Sequence, residues 1–405
     1  MDVLFLSPAY PPEMVQFTRG LAEVGARVWG IGDAPFDALP ESVRRNLTGY
    51  LQVPAILDED DVIRRVSDWL GGRRPDRIEG LWEVVTTLAA RLRERLGVPG
   101  MSVDAVYGFR DKVVMKQRVE AAGLRVPRTA RVRTADEVRR FAAATGYPLV
   151  VKPVDGAGSA NTHRIGGPAE LEDVLGRIGG LPEASLEEFV TGDEYTFETL
   201  CVDGRVVFHS VSFYEPNVLD ARRNEWISPI IFTVRDPDDP RIAVGPRMGL
   251  DVIRALGMGT GFTHMEWFHR PDGEAVFGEI ACRPPGANMV DLMNYANDVD
   301  LFVEWARLVV HGRFEAPIHR PWNAAMVFKR ARGHGRIRGV DGLDRFVARY
   351  RPYVARVDLL PIGAPRRNWE QTFLADGNLV IRHPDKAVCL GMAREAAATI
   401  HLYAE

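Results

Sequence analysis

Short apolar runs and helix-spaced apolar stretches alternate along the first hundred residues. Asp2–Leu6 reads as a buried strand, followed by the Pro-rich turn Pro8-Ala9-Tyr10-Pro11-Pro12 and a helix over residues 13–24. A second strand is predicted at 26–31, and helical patterns recur at 60–70 and 81–96. This alternation predicts a parallel sheet with flanking helices. No GxGxxG follows the first strand, so a dinucleotide fingerprint is absent. Residues 105–190 then read helix 112–122, strand 128–132, helix Ala135–Thr145 and strand 148–152. Thr134 before Ala135, with Glu137 following, gives that helix a cap-like start.

From Glu194 onward the pattern turns to strands and hairpins, with helices at 243–256, 289–293 and 300–310. The tail opens on a strand at 324–330 and closes on a helix at 386–403. The fold class is therefore α/β, becoming α+β in the C-terminal half. The expected division is 1–104, 105–193, 194–312 and 313–405, with the last a small α+β domain. The chain has 405 residues. At ~100–200 residues per domain, that length fits two to four units.

The strongest chemical signal is a pair of carboxylates. Glu266, in Thr263-His264-Met265-Glu266-Trp267, and Glu279, in Phe277-Gly278-Glu279-Ile280-Ala281, flank the turn Arg270-Pro271-Asp272-Gly273. Adjacent antiparallel strands would set these carboxylates side by side, where paired acidic oxygens suit Mg²⁺. Arg283 follows as the chain leaves the strand, and its planar guanidinium could grip a carboxylate or phosphate. An ordinary charged hairpin shows the same local pattern. His264, Glu266 and His269 resemble a metal cluster superficially. On a strand, however, His269 points away from the other two.

Two lysines extend the pattern. Lys112 starts a helix, and Lys152 ends the apolar run 147–152, just before the small-residue turn Asp155-Gly156-Ala157-Gly158-Ser159-Ala160-Asn161. Small residues let backbone N–H groups approach phosphate oxygens. The order is not GxxxxGK[ST], so this is no P-loop. A third element, Glu187-Glu188-Phe189-Val190-Thr191-Gly192-Asp193-Glu194, joins two strands at a Thr-Gly turn. Taken alone it is a common hairpin.

In this order and spacing the set resembles the ATP-grasp superfamily, in particular its carboxylate–amine ligases such as the L-amino acid ligases, over about residues 1–312. The resemblance implies an ATP-grasp fold: a Rossmann-like N-terminal domain, a central lid subdomain, a metal-bearing subdomain and a small C-terminal extension. It implies that Lys112 and Lys152 contact ATP phosphates and that Gly156, Ala157, Gly158 and Ser159 fold over them. Glu187, Glu188, Phe189 and Val190 would receive adenine, and Glu194 would hold the ribose. Glu266 and Glu279 would bind Mg²⁺, with Mn²⁺ as a substitute, and Arg283 would orient the reacting carboxylate or its acyl phosphate. The implied activity is an ATP-dependent ligase joining a small carboxylate, an amino acid or similar, to an amine through an acyl phosphate.

Two positions depart from the family. The usual Asn after the second metal Glu is Ala281, and the segment 214–232 offers Arg222, Arg223 and Trp226 but neither Lys nor His. A carboxylase-like member, a nucleotide-biosynthesis ligase and a catalytically impaired ATP-binding protein therefore stay open. No methionine-flanked lysine marks a biotin attachment site. Glu79 and Glu83, near Leu81-Trp82, fall in a strand-to-helix loop; they could meet a substrate amine or be plain surface carboxylates. The basic run Lys329, Arg330, Arg332, Arg336 and Arg338 reads either as a solvated strand pair or as a lid contacting anions.

Composition narrows the class. The chain is 46% hydrophobic and 26% charged with net charge −4, which suits a soluble enzyme and argues against nucleic acid as a partner. Apolar runs fall short of the ~18 residues that span a membrane. Met1–Leu6 lacks the features of a signal peptide. Cys201, Cys282 and Cys389 are scattered, as expected in a reducing cytoplasm. The expected partners are small-molecule carboxylate and amine substrates, with a homodimer admitted.

Overall fold

The computed structural model describes residues 1–154, 162–178, 183–369, 372 and 374–405. The first sheet is parallel, with strand order Gly49–Gln52, Arg27–Gly32, Asp2–Leu6, Arg77–Gly80. Val3, Leu4, Phe5 and Leu6 are all fully buried. A continuous apolar run of this kind belongs in a parallel sheet covered on both faces.

The second sheet is antiparallel and carries the lid: Thr129–Val132, Ala184–Glu188, Leu149–Lys152, His163–Ile165. Its helix Ala135–Thr145 starts as the sequence predicts. The Thr134 hydroxyl accepts from the Glu137 N–H, and the Glu137 carboxylate accepts from the Thr134 N–H.

The largest sheet has eight strands. Its order is Ala275–Ala281, Gly261–His269, Asp193–Val202, Arg205–Glu215, Ile230–Thr233, Asn323–Phe328, Gly377–His383, Val354–Leu359, and every neighbouring pair is antiparallel. Residues 313–405 were expected as a separate small domain. Instead, three of these strands come from that tail and extend the sheet that carries the carboxylates. Buried residues of the two parts, such as Phe277 and Leu379, share one apolar cluster.

The C-terminal helix is shorter than expected, ending at Thr399. His401–Ala404 is a strand paired with Ile337–Asp341. Leu402 and Ala404 are buried while their neighbours are not, so a period of two replaces the helical one at this point.

Candidate active site

The turn 270–273 closes as its sequence predicts: Gly273 N–H donates to the Arg270 carbonyl at 2.9 Å, and Gly273 has φ +87°. Glu266 stands directly opposite Glu279. This pairing depends on a bulge the spacing alone does not reveal. Trp267 pairs with Phe277, whereas Glu266 pairs with Glu279, so Gly278 is the extra residue. A one-residue slip flips a strand's faces, and here it turns Glu279 onto the face of Glu266. A Cβ at Gly278 would lie 2.7 Å from the Glu266 carbonyl oxygen. Gly278→Val should therefore disturb the carboxylate pair and lower the melting temperature. A variant that keeps wild-type stability and Mg²⁺ dependence would refute this role for the bulge.

The lysines converge on the same place. Lys112 Nζ lies 3.2 Å from Glu279 Oε2, and Lys152 Nζ lies 3.5 Å from the same oxygen. Lys152 also meets Glu187 Oε2 at 3.0 Å, and Lys116, which sequence reasoning passed over, meets Glu187 Oε1 at 2.7 Å. Burial pushes the Lys116 ammonium down to about 8, against the pull of Glu187. Burial also opposes the charge on Lys152, but Glu187 and Glu279 outweigh it and hold Lys152 above its ordinary range. The same lysines overcome burial and hold Glu187 and Glu279 below the usual carboxylate range. The Glu187 carboxylate thus orients two lysines, Lys116 and Lys152. Its signal was in the chain: Lys116 is one helical turn past Lys112 and so shares its face.

The rest of the expected hinge is described only in part by contacts. The Glu188 carboxylate binds the Arg125 guanidinium at 2.8 Å and accepts from the Arg128 N–H at 3.1 Å. Phe189 N–H donates to the Pro148 carbonyl, and Arg164 lies 4.9 Å over the Phe189 ring. Val190 is buried at the turn. Glu194 is raised to about 8 by burial and by Glu266 and Glu279, and across the ladder it pairs with Phe268, two residues along the strand from Glu266. The loop residues Gly156, Ala157, Gly158 and Ser159 lie outside the described residues, as do the side chains of Arg222 and Arg223.

Arg283 is tied to the N-terminal domain. Its Nε donates to Glu83, which also accepts from Arg110, and its Nη1 donates to the Pro284 carbonyl at 2.8 Å. Burial would raise Glu83, but the two guanidinium groups hold it below its usual range. Glu83 is therefore a buried clamp on Arg283 rather than a plain surface carboxylate. Glu79 sits in the strand Arg77–Gly80 and is raised by burial.

A second residue that sequence reasoning missed is Glu198. It is fully buried, and its Oε1 lies 3.0 Å from His264 Nδ1. His264 Nε2 in turn lies 3.7 Å from Glu266 Oε1. Burial disfavours the imidazolium, yet Glu198 and Glu266 raise it to about 9. A carboxylate–imidazole–carboxylate chain of this kind orients a ligand from behind. The signal was period-two placement: Glu198 pairs with His264 across the ladder.

The basic tail residues do not form a solvated strand pair at its start. Lys329 is buried and donates to the Ala397 carbonyl and the Ser228 hydroxyl, each at 2.8 Å. Arg330 is buried too; it donates to the carbonyls of Ala221 and Asn224 and lies over Trp369.

Glu266, Glu279, Lys112, His264 and Arg283 line one cavity of about 460 Å³ between the first domain and the large sheet. The donor set fits Mg²⁺: two carboxylates of which 28% of each side chain is exposed, with oxygen ligands only. Among the described residues no cluster of three or more His, Cys, Asp or Glu forms a full protein cage. Mg²⁺ commonly keeps waters and substrate phosphates as its remaining ligands. Ala281 brings no further donor.

No family model matches the chain. It is 26% identical over 218 residues to an L-arginine-specific L-amino acid ligase of Bacillus subtilis, covering 52% of each chain. It is 30% identical over 199 residues to an N5-carboxyaminoimidazole ribonucleotide synthase of Mycobacterium tuberculosis, covering 48% of this chain and 45% of that one. The chain spans about half the length of these curated relatives. In structure it resembles an L-amino acid ligase from Bacillus licheniformis, with a TM-score of 0.79 at 18% identity over 100% of this chain and 98% of the other. An N5-carboxyaminoimidazole ribonucleotide synthetase from Thermotoga maritima gives 0.71 at 16% identity, over 100% of this chain and 99% of the other. No helix among the described residues is long and apolar enough to cross a membrane. The structural likeness shows an ATP-grasp fold, and over about half of its length the sequence is similar to an L-amino acid ligase and to an N5-carboxyaminoimidazole ribonucleotide synthase.

Proposed function

We propose that the chain is an ATP-dependent carboxylate–amine ligase that forms an amide or peptide bond through an acyl phosphate, acting on amino acids or similar small carboxylates. The observation that carries this reading is the convergence of Glu266, Glu279, Lys112 and Arg283 on one cavity, with Lys152 reaching Glu279. Lys112 and Lys152 neutralise the phosphates of ATP, and Glu266 and Glu279 hold Mg²⁺, which supplies charge neutralisation at the transferring phosphoryl group. Arg283, fixed by Glu83, orients the substrate carboxylate. One carboxylate oxygen attacks the γ-phosphorus and ADP leaves; the amine nitrogen then attacks the acyl carbon, loses a proton, and phosphate leaves. The cavity must exclude water, or the acyl phosphate hydrolyses.

The hinge 187–190 receives adenine, with Phe189 and Val190 as its apolar wall, and Glu194 is the carboxylate for the ribose. Gly156, Ala157, Gly158 and Ser159 are proposed to cover the phosphates. We assign the protein to a cytoplasmic, reducing setting on its three free cysteines. A homodimer remains part of the proposal.

The likeness to N5-carboxyaminoimidazole ribonucleotide synthases favours one second reading, a ligase acting on a ribonucleotide. The test is coupled ADP release across a panel of amino acids, with Mg²⁺, with Mn²⁺ and with neither. Amino-acid-dependent ADP release that needs the metal supports the ligase reading. Release with no amino acid, but with an aminoimidazole ribonucleotide and bicarbonate, would replace it. Lys152→Ala should weaken ATP binding, read by calorimetry. If affinity is unchanged, Lys152 serves only the lid's ion pairs.

A further inference from the structure

We propose that the acid substrate carries a bulky apolar side chain, of the leucine, methionine or phenylalanine kind; this rests on the ligase reading above. The cavity lining has two unlike parts. Its polar part holds His264, Glu266, Glu279 and Arg283. The rest of its lining is mostly apolar and includes Met14 and Trp82 from the first domain and Tyr214, Ile231, Met289 and Phe328 from the large sheet and its following helix. Ile231, Met289 and Phe328 belong to one buried apolar cluster, so this wall is an open face of the core.

Among the described polar side chains of the lining, Tyr214 and Arg330 are engaged, while Glu13 also lines the cavity. The Tyr214 hydroxyl points to the Met289 thioether, 3.7 Å away. Arg330 Nη1 donates to the carbonyls of Ala221 and Asn224. With its carboxylate at the Arg283 end, a substrate extends its side chain toward this wall. A charged or amide side chain there loses water against a mostly apolar wall, which is costly. A hydrogen or methyl group leaves part of the wall without contacts.

The test is steady-state ADP release with saturating ATP and one fixed amine, varying the acid among glycine, alanine, leucine, methionine, phenylalanine, aspartate and arginine. Leucine, methionine or phenylalanine should exceed alanine in kcat/KM by at least ~10-fold, the scale of discrimination a hydrophobic pocket gives per missing methylene group. Trp82, a half-buried loop residue edge-on to Tyr10, gives a variant with little risk to the fold. Trp82→Ala should lower kcat/KM for the large apolar acids by a larger factor than for alanine.

Equal or better turnover with aspartate, arginine or glycine overturns the apolar assignment while leaving the ligase reading intact. If no amino acid supports ADP release, the ligase reading fails. Calorimetric titration of the same acids into protein with a non-hydrolysable ATP analogue then decides the pocket separately. Tighter binding of leucine than of alanine and aspartate keeps the apolar assignment, and the reverse order removes it.

Discussion

Replacing Glu279 with Gln is expected to lower ATP-dependent turnover at least ~100-fold, the scale of losing one preorganised electrostatic contact at a reacting centre. The isosteric amide keeps the shape of the hairpin but gives up one of two charged oxygen ligands. It also leaves Lys112 and Lys152 without the carboxylate they share at 3.2 and 3.5 Å. Lys152 retains Glu187 at 3.0 Å. Nucleotide binding should survive in weakened form, because Lys152 keeps its pairing with Glu187. Parallel measurement of ADP release and of nucleotide affinity separates the two effects. Near-normal turnover would remove Glu279 from the metal site.

Arg283→Lys should lower kcat/KM for the acid while ATP affinity hardly changes. Lysine keeps a charge but cannot present a planar fork. Because Arg283 Nε is already given to Glu83, the change also strips a partner from a clamp that joins two domains. Arg283→Ala should cost more, on the order of 2–5 kcal/mol, the penalty for leaving a buried charge unpaired. Kinetics with ATP and the acid varied separately reads this split. Damage confined to the ATP parameters would move Arg283 to the nucleotide site.

How much of this site the chain declares depends on whether a feature is local. The turn at 270–273, the cap at Thr134 and the helix starting at Lys112 are fixed by residues within a few positions of each other, and all three were readable. The bulge at Gly278 was not, because a glycine in a strand does not say which partner backbone closes on it. The ion pairs of Glu187 were hidden for a similar reason. The position of Glu187 in a strand was clear, but only the packing of the helix Lys112–Ala121 against the lid shows that Lys116 claims its carboxylate. Glu198 and His264 lie far apart in sequence and meet only through strand pairing. The tail looked like a separate domain because its strands are preceded by the helix Leu301–His311. Sheet continuity is a long-range property that local pattern does not carry.

The central claim is that a substrate carboxylate is activated by phosphorylation before the amine attacks. Oxygen transfer tests it most directly. An acid substrate labelled with ¹⁸O in its carboxylate is incubated with ATP, Mg²⁺ and the amine, and the released phosphate is examined by mass spectrometry or by the isotope shift of its ³¹P resonance. The acyl-phosphate route predicts one ¹⁸O in the phosphate for each amide formed, because the bridging oxygen leaves with phosphorus. Amide formation with unlabelled phosphate would contradict it.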